Sequence, residues 1–131
     1  MLGGMTKTAR VLIVDDHEIV RMGLRILLAG YPQFEICGEA VDGRQALAKV
    51  AELLPDVVIM DLSMPVMNGF DATKELRQTS PDTKIVLFSM YETPTTARMV
   101  GAHVFVAKSA AARDLPAAIE GALRSKPAVE P

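Results

Sequence analysis

The chain has 131 residues, half of them hydrophobic, and a formal net charge of −2. That length suits one domain with a sizeable core, and the balanced charge gives no basic face for nucleic acid. A single cysteine, Cys37, excludes an internal disulfide and fits a reducing, cytoplasmic setting, and no apolar stretch is long enough to cross a bilayer.

Residues 1–9 read as a flexible N-terminal segment without the apolar stretch of a signal peptide. Val11-Leu12-Ile13-Val14 has the length and β-branched content of a strand buried on both faces, and it ends in Asp15-Asp16. Apolar residues then recur at Val20, Leu24, Leu27 and Leu28, with Arg21 and Arg25 facing away: a helical stripe that Gly30-Tyr31-Pro32 stops. Residues 34–40 read as the second strand, with Cys37 a small buried residue on it. Asp42 is placed to cap a second helix carrying Ala46, Leu47, Val50 and Leu54, which Pro55 ends.

The third strand covers residues 57–61 and ends in Asp61. A loop with Met64-Pro65 and Met67-Asn68-Gly69 leads to a third helix near residues 70–78. Ser80-Pro81-Asp82 is a turn, and residues 84–89 form the fourth strand, ending in Ser89. Only residues 94–100 remain for a fourth helix before Gly101-Ala102. Residues 104–107 are the fifth strand, followed by Lys108. The last helix has the clearest stripe: Leu115, Ala118, Ile119, Ala122 and Leu123. Residues 125–131 are proline-spaced and polar, like a tail or the start of a linker.

Strands alternating with helices predict an α/β fold, a doubly wound five-stranded parallel sheet in the order 2-1-3-4-5, with a shortened fourth helix. One edge of that sheet would gather Asp15, Asp16 and Asp61 with the Ser89 hydroxyl and the Lys108 ammonium. Three carboxylates at close quarters repel, and a hard divalent cation such as Mg²⁺ relieves the repulsion. A nucleophilic Asp, a metal, a hydroxyl donor and a fixed cation are the parts that take up a phosphoryl group. Read alone, an Asp at a strand end is often a helix cap or turn former, and Ser89 a plain turn residue. His17 reads as a solvated helix-start residue rather than a metal ligand, and His103 as a surface loop residue. The scattered methionines read as core filler.

Taken together, Val11 to Val14 with Asp15-Asp16-His17, then Asp61-Leu62-Ser63-Met64-Pro65 with Met67-Asn68-Gly69, then Ser89, Gly101-Ala102, Phe105 and Lys108 resemble the receiver domain of bacterial two-component response regulators. The style is that of the NarL/FixJ branch, and the resemblance covers residues 10–124. It implies a flavodoxin-like (CheY-like) fold. It also implies that Asp61 is the phospho-acceptor, fed by a sensor histidine kinase. Asp16 and Asp61 would ligate Mg²⁺ directly, Asp15 through water or as a further ligand, and the Ser63 carbonyl would add an oxygen. Lys108 would pair with the phosphoryl oxygens, Ser89 would hydrogen-bond them, and Phe105 would turn into the space that Ser89 leaves. The output would be a switched protein-interaction surface that controls transcription through a DNA-binding domain outside this chain. A homodimer built on the first or last helix is compatible with this.

Two rival readings stand beside it. One is a receiver-like interaction module whose output does not depend on phosphorylation. The other is a phosphatase with an aspartyl nucleophile, which the run Asp15-Asp16-His17 disfavours because the expected second acid is missing. Several residues depart from the family pattern. The segment between Ser89 and Gly101 is short by about one helical turn. Val104 replaces a glycine, and Ser109 a proline. Ala111 and Ala112 make a poor helix cap, and Pro116 predicts delayed entry into the last helix.

Overall fold

A computed structural model describes residues 8–90 and 101–125. Five strands form one sheet: β1 (Ala9–Val14), β2 (Phe34–Ala40), β3 (Val57–Asp61), β4 (Lys84–Ser89) and β5 (Val104–Ala107). They are all parallel, in the order β2-β1-β3-β4-β5. Among the described residues four α-helices cover the sheet: α1 (Glu18–Ala29), α2 (Gly43–Leu53), α3 (Gly69–Thr79) and α4 (Ala111–Arg124). The helix expected over residues 94–100 lies outside the described residues.

Alternation along the strands divides the core between the two faces. Val11, Ile13, Val57, Ile59, Val86, Phe88 and Val106 pack with Leu24 and Leu28 of α1 and with Leu115 and Ile119 of α4. Leu12, Val14, Val58, Met60, Ile85 and Leu87 pack with Ala46 and Val50 of α2 and with Ala72 and Leu76 of α3. This two-faced burial is why β1, β3 and β4 read as continuous apolar runs rather than as alternating ones. Cys37 lies on β2 at an irregularity: Val11 pairs with Ile36 but Leu12 with Gly38, so Cys37 is the extra residue and is only partly buried.

The caps follow local chemistry. The Asp42 side chain accepts from Gln45 N–H at 2.8 Å, and that of Asn68 from Asp71 N–H at 2.8 Å. Gly69 opens α3 directly against the site strand: a Cβ there would lie 2.1 Å from the Asp61 carbonyl oxygen. Only glycine allows α3 to start that close.

Three expectations about the helices need correction. Leu54 is not on the buried stripe of α2; it caps the helix at φ 50 and is 71% exposed, while Leu53 packs inward. Arg21 and Arg25 do not face away; both reach across to Glu39 on β2. Pro116 does not delay the last helix, which begins at Ala111 after a 3-10 turn over Lys108–Ala110. Burial of Leu115, Pro116, Ile119 and Ala122 holds the helix against the sheet despite the N–H lost at Pro116 and a start without a side-chain cap.

Candidate functional site

Strand register builds the site. Val14 pairs with Met60, so Asp15 and Asp61 follow each other's strands at the same edge. Asp61 pairs with Phe88, which brings Ser89 one step beyond it. Ser89 pairs with Ala107, so Lys108 comes next. The five sequence-predicted residues therefore arrive at the carboxyl edge of the sheet as the ends of neighbouring strands.

Lys108 is the cation among the acids. Its Nζ lies 2.8 Å from Asp15 Oδ2 and 3.2 Å from Asp61 Oδ1, and 5.4 Å from the centre of the Phe88 ring. Asp15 is fully buried, and Asp61 and Ser89 nearly so. Burial is the main reason that the Asp61 carboxyl titrates above the usual carboxylate range. The charge of Asp15 adds to this, and Lys108 opposes it. Burial also disfavours the Lys108 ammonium, but Asp15 and Asp61 outweigh it and hold its pKa above the ordinary lysine value.

A depression of about 170 Å³ above Asp61 is lined by His17, Ser63, Ser89, Met90 and Lys108. Ser63 is exposed on its rim. Phe105 sits on β5 opposite Leu87, partly buried against the α2–α3 side of the core. Ser89 follows Leu87 by two residues and so shares its face. Ser89 and Phe105 are thus on the same side of adjacent strands.

Three features were not legible in the sequence. Arg21 is 13% exposed; its Nε donates to Glu39 Oε1 at 2.8 Å and its Nη1 to the Asp15 carbonyl at 2.7 Å. Arg25 pairs with the other oxygen of Glu39. Burial opposes ionisation of Glu39, but the two arginines hold its carboxyl below the usual value. The loop bearing the acidic pair is therefore tied to β2. In the β3–α3 loop, Val66 stands at φ 70, inside a tight turn where Met67 N–H donates to the Pro65 carbonyl at 2.7 Å. A β-branched residue there is strained.

His17 is the third. It is solvated, with 63% of its side chain exposed, and it is the N-cap of α1, as expected of a helix-start residue. It nevertheless turns toward the acids: Nδ1 is 3.2 Å from Asp15 Oδ1 and 3.3 Å from Asp16 Oδ1.

The residues fit a divalent cation. Asp16 Oδ1 is buried without a hydrogen bond. Asp15 Oδ2 is paired with Lys108 Nζ at 2.8 Å. Ligand atoms of Asp15, Asp16, His17 and Asp61 all lie within 4.8 Å of one another. Buried acceptors of this kind call for a counter-charge.

Comparison with known proteins agrees with the geometry. Residues 11–120 match the family model described as the response regulator receiver domain. The chain is 38% identical over 124 residues to the transcriptional regulatory protein LiaR of Bacillus subtilis, covering 92% of this chain and 59% of that protein. It is 39% identical over 113 residues to the response regulator GacA of Pseudomonas viridiflava, covering 84% and 53%. It thus spans between half and two thirds of the length of these relatives. Among solved structures, a two-component response regulator of the LuxR family from Aurantimonas superimposes with a TM-score of 0.86 at 37% identity, covering 95% of this chain and 91% of that one. No helix among the described residues is long and apolar enough to cross a membrane. With its CheY-like sheet order and its acidic strand edge, the chain belongs to the response regulator receiver domains, the signalling domains of two-component systems.

Proposed function

We propose that this receiver domain accepts a phosphoryl group on Asp61 from a sensor histidine kinase in the cytoplasm, with Mg²⁺ at the acidic edge. The observation that carries the reading is the Asp61 carboxylate itself, nearly buried at the end of β3 with Lys108 Nζ 3.2 Å from its Oδ1. An Asp61 oxygen attacks phosphorus as the bond from phosphorus to the donor's imidazole nitrogen breaks; the bonding pair stays on that nitrogen, and because the other ring nitrogen carries a proton the step leaves an acyl phosphate and a neutral imidazole. Lys108 meets the equatorial oxygens as a point charge. Asp15, Asp16 and Asp61, with the Ser63 carbonyl, would hold the Mg²⁺. When bound, the metal neutralises charge on the phosphoryl oxygens and screens the carboxylates from one another.

Ser89 then hydrogen-bonds the phosphoryl group, and Phe105 moves into the vacated space on the same face. That shift alters the outer surface of β5, the readout for the rest of the protein. Attack of water on phosphorus later returns the carboxylate and releases inorganic phosphate. The match to a transcriptional regulatory protein supports control of transcription through a DNA-binding domain joined to this one.

The test is transfer from a small phosphodonor. Incubation with acetyl phosphate and Mg²⁺, followed by intact-mass spectrometry, is expected to add one phosphoryl group. Chelation should suppress the addition and Asp61→Asn should abolish it. A wild-type chain that stays unmodified favours an interaction module whose output does not need phosphate.

A further inference from the structure

His17 has no part in the reaction as described above, yet its position is tightly fixed. Its backbone N–H donates to Asp15 Oδ1 at 2.9 Å, and its carbonyl accepts from Val20 and Arg21 at 3.1 and 3.2 Å. The residue is therefore clamped between the acidic pair and the first turn of α1. Its side chain makes no cap hydrogen bond, so helix capping does not explain where the ring lies. The ring instead closes on the acids: Nδ1 hydrogen-bonds Asp15 Oδ1 at 3.2 Å and lies 3.3 Å from Asp16 Oδ1, and His17 shares with Asp15, Asp16 and Asp61 a set of ligand atoms within 4.8 Å of one another.

An imidazole changes what such a site selects. Three carboxylates and a carbonyl form a hard, all-oxygen set suited to Mg²⁺. One borderline nitrogen donor adds little for Mg²⁺, which keeps its waters and prefers oxygen. It adds much for first-row transition ions, whose affinity for nitrogen rises along the series to copper.

We propose that His17 is a ligand in the acidic site and raises its affinity for first-row transition ions relative to Mg²⁺. This rests on the reading of Asp15, Asp16 and Asp61 as the metal-binding acids.

The test uses the tag-free chain, whose only other histidine is His103. Calorimetric titration with Mg²⁺ and with Ni²⁺ is run on wild type, His17→Ala and Asp61→Asn. His17→Ala is expected to weaken Ni²⁺ by about tenfold or more while changing Mg²⁺ less than about twofold. Pulsed electron paramagnetic resonance of bound Mn²⁺ should show a directly coordinated nitrogen in wild type and none in His17→Ala; the wild-type spectrum alone is informative even if the variant folds poorly. Equal effects on the two metals, no effect on Ni²⁺, or no coordinated nitrogen in wild type would overturn the inference about His17. If Asp61→Asn leaves Mg²⁺ binding untouched, the acidic-site reading fails first, and the two failures are told apart.

Discussion

Asp61 carries a cost in the resting fold. Its carboxyl is buried beside Asp15, and its pKa is raised for that reason. A carboxyl whose folded pKa exceeds its unfolded one favours folding only while protonated. The cost of ionising it appears as pH rises through the carboxylate range and is fully present at neutral pH. Asp61→Asn keeps an acceptor for Lys108 and removes the charge. It should stabilise the chain at pH 7 by about 1 kcal/mol, a rise in Tm of several degrees. Parallel thermal melts of the two proteins check this, and a lower Tm for the variant contradicts it. A site held ready for added charge at the expense of stability is the pattern that function imposes on a fold.

Elements hold the site through contacts that periodicity does not reveal. Arg21 ties the β1–α1 loop to Glu39 on β2 and to the Asp15 carbonyl. Arg21→Ala leaves a carboxylate and a carbonyl without their shared partner and should cost about 1–3 kcal/mol in urea unfolding. Arg21→Lys, which lacks the fork, should recover only part of this; full stability in Arg21→Ala would mean that the tie contributes nothing.

His103 does the same for β4 and β5. It was expected on a surface loop, but it is half-buried: its ring Nδ1 accepts from Ile85 N–H at 3.0 Å while its backbone N–H donates to the Ile85 carbonyl at 2.9 Å. Its Nε2 is buried without a partner. Burial, then the charges of Arg77 and Lys84, push its pKa down from 6.5 to about 4. The unfolded chain therefore binds the proton more readily, and stability should fall as pH drops from 6.5 toward 4. His103→Asn keeps a short acceptor for Ile85 and should flatten the slope in that window. Denaturation midpoints across the range decide it, and an unchanged slope contradicts it.

At the scale of the whole molecule, the sheet order and the strand-end constellation were legible because β1, β3 and β4 are buried on both faces. Their apolar runs mark the strand ends, and the strand ends place Asp15, Asp61 and Ser89. Lys108 came from the same logic on β5. What was hidden depends on partners distant in sequence: Arg21 on Glu39, His103 on Ile85 and His17 on the acids. Leu54 and Val66 were hidden for another reason, since a left-handed backbone at a branched or bulky residue has no signature in hydrophobic pattern.

The central claim is that one oxygen atom, on Asp61, takes the phosphoryl group. Treating the acetyl-phosphate-modified chain with borohydride reduces an acyl phosphate to the alcohol, and peptide mapping then locates the altered residue. The account predicts homoserine in place of Asp61 and unaltered Asp15 and Asp16. Reduction at either of those residues, or at none of the three in a chain that has gained phosphate, would contradict it.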